Sequence, residues 1–148
     1  MSEHFKRLEE MYHSASINQF FKPRLKVEKG ASTIESTVVP EFFHAGGSMH
    51  GSVYFKMLDD AAYFAVNSVI EDVFVVTAQF NIYFLKPVTG GKVVAKGTLI
   101  YESKSSFLGE AVLYDETGDM IARGTGSFIK SRLNLKDIKG YQTPSLKS

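Results

Sequence analysis

HAGGSMHGSVYFKMLDDAAYFAVNSVI, residues 44–70, decides how this chain folds. The stretch begins in a glycine-rich loop that runs from Phe42 to Gly51. It passes into Ser52–Ile70, which is too long and too rich in Ala, Met and Leu for a strand. The helix predicted there is apolar almost all the way round, so nearly every side of it must be covered. After Glu71-Asp72 the period changes from helical to alternating, and four strand-like runs follow: 74–87, 92–103, 106–115 and 120–131. Thr89-Gly90-Gly91 and Asp115-Glu116-Thr117-Gly118 are turn sequences, which makes these runs antiparallel neighbours.

Upstream, Phe5, Leu8, Met11 and Tyr12 recur at helical spacing, predicting a helix over 3–21 that ends at Pro23. Residues 24–40 read as an extended segment with a turn at Gly30, and the polar tail 133–148 as loosely held. One apolar helix against one antiparallel sheet is an α+β layer arrangement, and the sheet must curl to cover the helix. Its edge strand needs a partner, which a second subunit commonly supplies. At 148 residues the chain has room for one domain, with the core expected over about 24–131.

Composition narrows the function. A formal net charge of +1 provides no global field for nucleic acid or an anionic membrane. The absence of cysteine excludes disulfides, a thiol nucleophile and thiolate metal sites. No apolar run approaches the roughly 20 residues of a membrane span, and the N-terminus lacks the apolar core of a signal peptide, so a cytoplasmic location is expected. His4 and His13 are expected at the surface. No spacing suggests a metal site, and Ser48 beside His50 reads as a loop or capping residue.

On the helical wheel, Ser52, Phe55, Asp59, Ala62, Val66 and Val69 share a stripe that is apolar after its start, except for Asp59. Val53, Lys56, Asp60, Tyr63 and Asn67 form a more polar stripe, where Lys56 can pair with Asp60 on a solvated face. Asp59 is therefore either a carboxylate bonded by a neighbouring element or a group raised in pKa for acid–base work. Gly51 either serves the turn into the helix or leaves the first free amides open to a carbonyl oxygen. The two residues lie about 12 Å apart along a helix, too far to act on one carbonyl from the same copy. If both act on one carbonyl, the site lies between two antiparallel copies.

The run His50-Gly51-Ser52-Val53-Tyr54-Phe55-Lys56-Met57-Leu58-Asp59, followed by Ala61-Ala62 and Ala65, resembles the hot-dog thioesterases of the phenylacetate-pathway (PaaI-like) family. In that family a His-Gly opens the central helix and an acid follows two turns later. Residues 77–87 and 121–128 resemble the family's next and last strands. The resemblance implies a hot-dog fold, with a long antiparallel sheet wrapped around the central helix. It implies that Gly51 polarises a thioester carbonyl and that Asp59 of a partner subunit is the general base or nucleophile. His50 would have an orienting role, and Thr77 would stand near the attacking water. One loop position departs from the family, which often has Asn where this chain has His44; a histidine there can also donate a hydrogen bond or titrate.

Gly47, Phe55, Phe80, Asn81, Phe84 and Lys104 are candidates for substrate contact. Lys86, Lys104 and Arg123 are either contacts for coenzyme A phosphates or a solvated face. The expected function is hydrolysis of an acyl-CoA by a homodimer, assembled further as a dimer of dimers, with coenzyme A entering as part of the substrate and no separate cofactor. A non-catalytic acyl-CoA-binding module and a hot-dog hydratase or dehydratase are the alternatives.

Overall fold

The long apolar helix forms over Gly51–Asn67 (α3) and lies across the concave face of a six-stranded antiparallel sheet. In this computed structural model, which describes residues 2–142, the strands are β1 (Arg24–Glu28), β2 (Ala31–Thr37), β3 (Val73–Phe84), β4 (Lys92–Glu102), β5 (Phe107–Tyr114) and β6 (Met120–Asn134). Their order across the sheet is β1-β2-β4-β5-β6-β3. This is the hot-dog architecture. Every residue from Ala61 to Ser68 is buried, as an all-round apolar helix requires.

The helix can sit this low because the sheet lacks side chains beneath it. A Cβ at Gly97 of β4 would clash with the Ala61 carbonyl oxygen. Ser32 of β2 donates its hydroxyl to that same carbonyl at 2.6 Å, so one turn of α3 is held by β2 and admitted by β4.

The N-terminal helix differs from the expected 3–21. It is split into α1 (Ser2–Ser14) and α2 (Asn18–Phe21) by a turn over Ala15–Ile17, and α2 stops at Lys22, whose φ of 52° leads into Pro23. Apolar spacing continues through Ile17, Phe20 and Phe21, so periodicity alone runs past the break. The tail is also better held than expected. β6 extends to Asn134, two 3₁₀ turns follow over Leu135–Asp137 and Lys139–Tyr141, and Leu135 and Tyr141 are buried. Residues 143–148 of that predicted tail lie outside the described residues.

His4 is not at the surface. It is 4% exposed, and its Nε2 lies 2.9 Å from the Asn67 carbonyl oxygen. A carbonyl only accepts, so Nε2 carries the proton and Nδ1 accepts from the Tyr141 hydroxyl at 2.6 Å. The start of the chain, the end of α3 and the last described turn thus meet on one neutral imidazole. His13, by contrast, is exposed and accepts from the Leu25 amide through Nε2.

Two outcomes are expected. Gly97→Ala should destabilise the fold by about 3 kcal/mol, because the new Cβ meets helix backbone that cannot rotate away; urea unfolding measures it. Burial pushes the His4 imidazole below its ordinary value, so the unfolded chain binds the extra proton more readily. Stability should then fall as pH drops through about 6.5, and His4→Gln should flatten that dependence in denaturation curves taken between pH 7.5 and 5.

Candidate active site

α3 starts at His50, not by a serine cap but by its own imidazole. Nδ1 of His50 accepts from the Ser52 amide at 2.9 Å, satisfying one of the free amides at the helix start. With Nδ1 accepting, Nε2 carries the proton and remains a free donor at the surface. Gly51 follows, and the edge of the Phe84 ring lies 3.3 Å from where its Cβ would be. A cavity of about 330 Å³ opens here, lined by His44, Ser48, Met49, Gly51, Tyr54, Phe84 and Lys86 among others.

His44 is turned onto its own loop. Its Nδ1 accepts from the Gly46 amide at 2.9 Å, so Nε2 is the donor to Ser48 Oγ at 3.0 Å. In that tautomer His44 cannot take a proton from Ser48, which leaves Ser48 a loop residue. Gly47, at φ 90°, is required by the turn that closes on the His44 carbonyl.

Asp59 stands two turns further along α3, at a separate cavity of about 320 Å³. Met11, Phe64, Phe74 and Val75 give that cavity apolar walls, and Asp59, Asp60, Lys56 and Thr77 supply its polar groups. Thr77 of β3 donates its hydroxyl to Asp59 Oδ1 at 2.8 Å. Burial pushes the Asp59 carboxyl up to about 6; the Thr77 bond opposes this, and the Asp60 charge adds to it. Among the described residues no histidine lines this cavity.

Asp60 is the paired aspartate of the two, but not on a solvated face. Lys56 Nζ and the Tyr12 hydroxyl meet its Oδ2 at 2.8 and 2.7 Å. The two charged side chains are only 13% and 19% exposed, because α1 and α2 pack over the stripe that looked polar. Tyr12, contributed by α1, is the site residue that the sequence did not single out. Its helical spacing identified it as apolar core and said nothing of where its hydroxyl would end.

The aromatic candidates lie at the β3 edge. Phe80 meets Phe55 edge-on at 5.6 Å between ring centres, and Phe84 meets Tyr54 at 5.5 Å. None of Phe55, Phe80 and Phe84 lines the Asp59 cavity. Asn81 faces away from α3, on the outer side of the sheet, since its neighbour Phe80 points inward. Lys104 is exposed in the β4–β5 turn and lines neither cavity. Lys86 is bound to Asp119 at 2.8 Å, and Arg123 lies 3.8 Å from Glu110. The chain therefore gathers Asp59 with Thr77, and Gly51 with His44, His50 and Phe84, in two separate places.

Comparison with known proteins bears on the family and the fold. The family model described as thioesterase superfamily matches residues 46–122, from the loop before α3 through β6's first residues. A protein of Saccharolobus solfataricus that bears an esterase name is 30% identical over 107 residues, 72% of this chain and 71% of that protein. The Escherichia coli PaaI protein, from the phenylacetic acid degradation operon, superposes with a TM-score of 0.82 at 18% identity, covering 90% of this chain and 96% of its own. A thioesterase of Haemophilus influenzae superposes with a TM-score of 0.75 at 18% identity, covering 84% and 88%.

The Thr77–Asp59 bond has a direct test. Thr77→Val removes the interaction that holds the carboxyl down, so the Asp59 titration should move above about 6. Carboxyl-carbon NMR across pH 4–8 would read it.

Proposed function

Since the chain belongs to the thioesterase superfamily, we propose that it hydrolyses an acyl-CoA to the free acid and coenzyme A at sites shared by two subunits. The observation that carries this is the desolvated Asp59, bonded to Thr77 and without an ion pair among the described residues, in a cavity with apolar walls. A base with a titration near 6 is ionised at neutral pH yet basic enough to take a proton from water.

The two-chain reading is supported by β3. It pairs with β6 on one side only, and its free edge carries half-exposed or exposed Val76, Tyr83 and Phe84, beside Phe55 and Leu85. An open edge with this much apolar surface favours pairing with a second copy. Antiparallel pairing would bring Asp59 of one subunit toward Gly51 of the other, and two sites would result.

The acyl group would occupy the cavity beside Asp59, with the thioester carbonyl on the Gly51 amide of the second subunit. Asp59 takes a proton from water, whose oxygen attacks the carbonyl carbon. The helix-start amide stabilises the oxyanion. Collapse breaks the carbon–sulfur bond, and the thiolate leaves with the proton returned by Asp59. His50, with its Nε2 proton free, would help hold the carbonyl or the incoming coenzyme. His44 serves the loop, since both its ring nitrogens are engaged there.

Thiol release from a panel of acyl-CoAs is the decisive assay. Asp59→Asn should lower kcat/KM by about 10²- to 10⁴-fold, and Asp60→Asn by far less. The rate should rise with pH through about 6, as the base ionises. Equal turnover by wild type and Asp59→Asn would refute the assignment of the base. Sedimentation of a monomer during turnover would refute the shared site.

A further inference from the structure

Lys56 sits three residues before Asp59 and four before Asp60, so its ammonium can reach either carboxylate on the face of α3. It lies on Asp60, 2.8 Å from Oδ2. Three contacts from outside α3 favour that choice. The Tyr12 hydroxyl donates to the same Oδ2 at 2.7 Å. The ammonium stands 5.3 Å from the centre of the Tyr12 ring and 5.2 Å from that of Phe21, within the range of cation–π attraction. Tyr12 is itself fixed edge-on against Phe64 at 5.0 Å, and Asn18 of α2 donates to its carbonyl at 2.7 Å.

We propose that Tyr12 and Phe21, from the two N-terminal helices, are positioning residues that keep the Lys56 ammonium on Asp60 and off Asp59. The inference rests on the reading that Asp59 is the general base. A base paired with an ammonium keeps its charge too readily and takes protons poorly. The ring pair holds the cation one side chain away, and Asp59 is left with a single hydroxyl partner, Thr77.

The charged and titratable groups around Asp59 are few. α3 brings Lys56, Asp60 and the buried Tyr63; α1 brings Tyr12; β3 brings only the Thr77 hydroxyl. Burial, then the Asp60 charge, holds the Tyr12 phenol far above its ordinary value, so it acts only as a neutral donor. Among the described residues Lys56 is therefore the one cation in the set, and its position adjusts a titration that burial sets first.

The test follows the Asp59 carboxyl by NMR in the full chain, together with the pH dependence of kcat and KM. Phe21→Leu weakens the aromatic clamp and keeps the Tyr12 donor to Asp60; Tyr12→Leu with Phe21→Leu removes both rings. In both variants the Asp59 midpoint should move down from about 6 toward the ordinary carboxylate value, more in the double variant. The acid limb of the rate profile should move with it, and the plateau kcat should fall by about threefold or more while KM changes less.

Lys56→Met is the control of opposite sign. It removes the cation and leaves the Asp60 charge uncompensated, so the Asp59 midpoint should rise. If Phe21→Leu leaves the midpoint in place, or raises it as Lys56→Met does, the proposal is overturned. A melting curve shows whether the double variant is folded, and Phe21→Leu alone decides the matter if it is not. The carboxyl titration reports Lys56 even if Asp59→Asn keeps full turnover, so a failure of the base assignment is distinguishable from a failure of this inference.

Discussion

At Gly97 the sheet presents bare backbone, and the Ala61 carbonyl of α3 occupies the space a side chain would need. Much else depends on that approach. A helix with buried residues on every side must be covered by β2, β3, β4, β5 and β6 below and by the N-terminal helices at its flank. Lowering the helix onto the sheet brings Asp59 down to Thr77 of β3, and it leaves the Lys56–Asp60 stripe to be covered by Tyr12 and Phe21. A higher helix would leave both aspartates in water, with ordinary titration and no distinction between them.

Two adjacent carboxylates on one turn would normally compete for the same cation. Here they are separated by chemistry. Asp60 receives an ammonium and a phenol, which offset the cost of burying its charge. Asp59 receives one hydroxyl and the apolar walls of its cavity. Desolvation therefore acts on Asp59 with little compensation, and its carboxyl rises where that of a solvated aspartate would not.

Much of this was legible in residue pattern. The alternation of β4, β5 and β6, and the Ala- and Met-rich run of α3, were plain because burial on one face or all faces leaves a period in the sequence. The wheel separated Asp59 from Asp60 for the same reason. What pattern could not carry was contact between distant segments. His4 looked like a surface residue because its partners stand 63 and 137 positions away. The Lys56–Asp60 stripe looked solvated because the cover comes from α1 and α2. Asn81 was a candidate beside Phe80, yet adjacent residues of a strand face opposite sides of the sheet. A bulge between Thr77 and Gln79 shifts the parity, so Thr77 and Phe80 both point inward and Asn81 turns out. Gly51 was visible as a helix opener, but the Phe84 ring lying over it was not.

The strand order carries a consequence for the newborn chain. β3 follows α3 directly in sequence, yet among the described residues its only neighbour in the sheet is β6, the latest of the six strands in the chain. Until β6 emerges, β3 has no ladder to join, and the Thr77 hydroxyl has no fixed place from which to reach Asp59. β1, β2, β4 and β5 can pair in turn as they leave the ribosome, while the carboxylate waits for the final hairpin to close. A nascent or truncated chain can thus hold a nearly complete sheet and still lack the hydrogen bond that sets its acid apart.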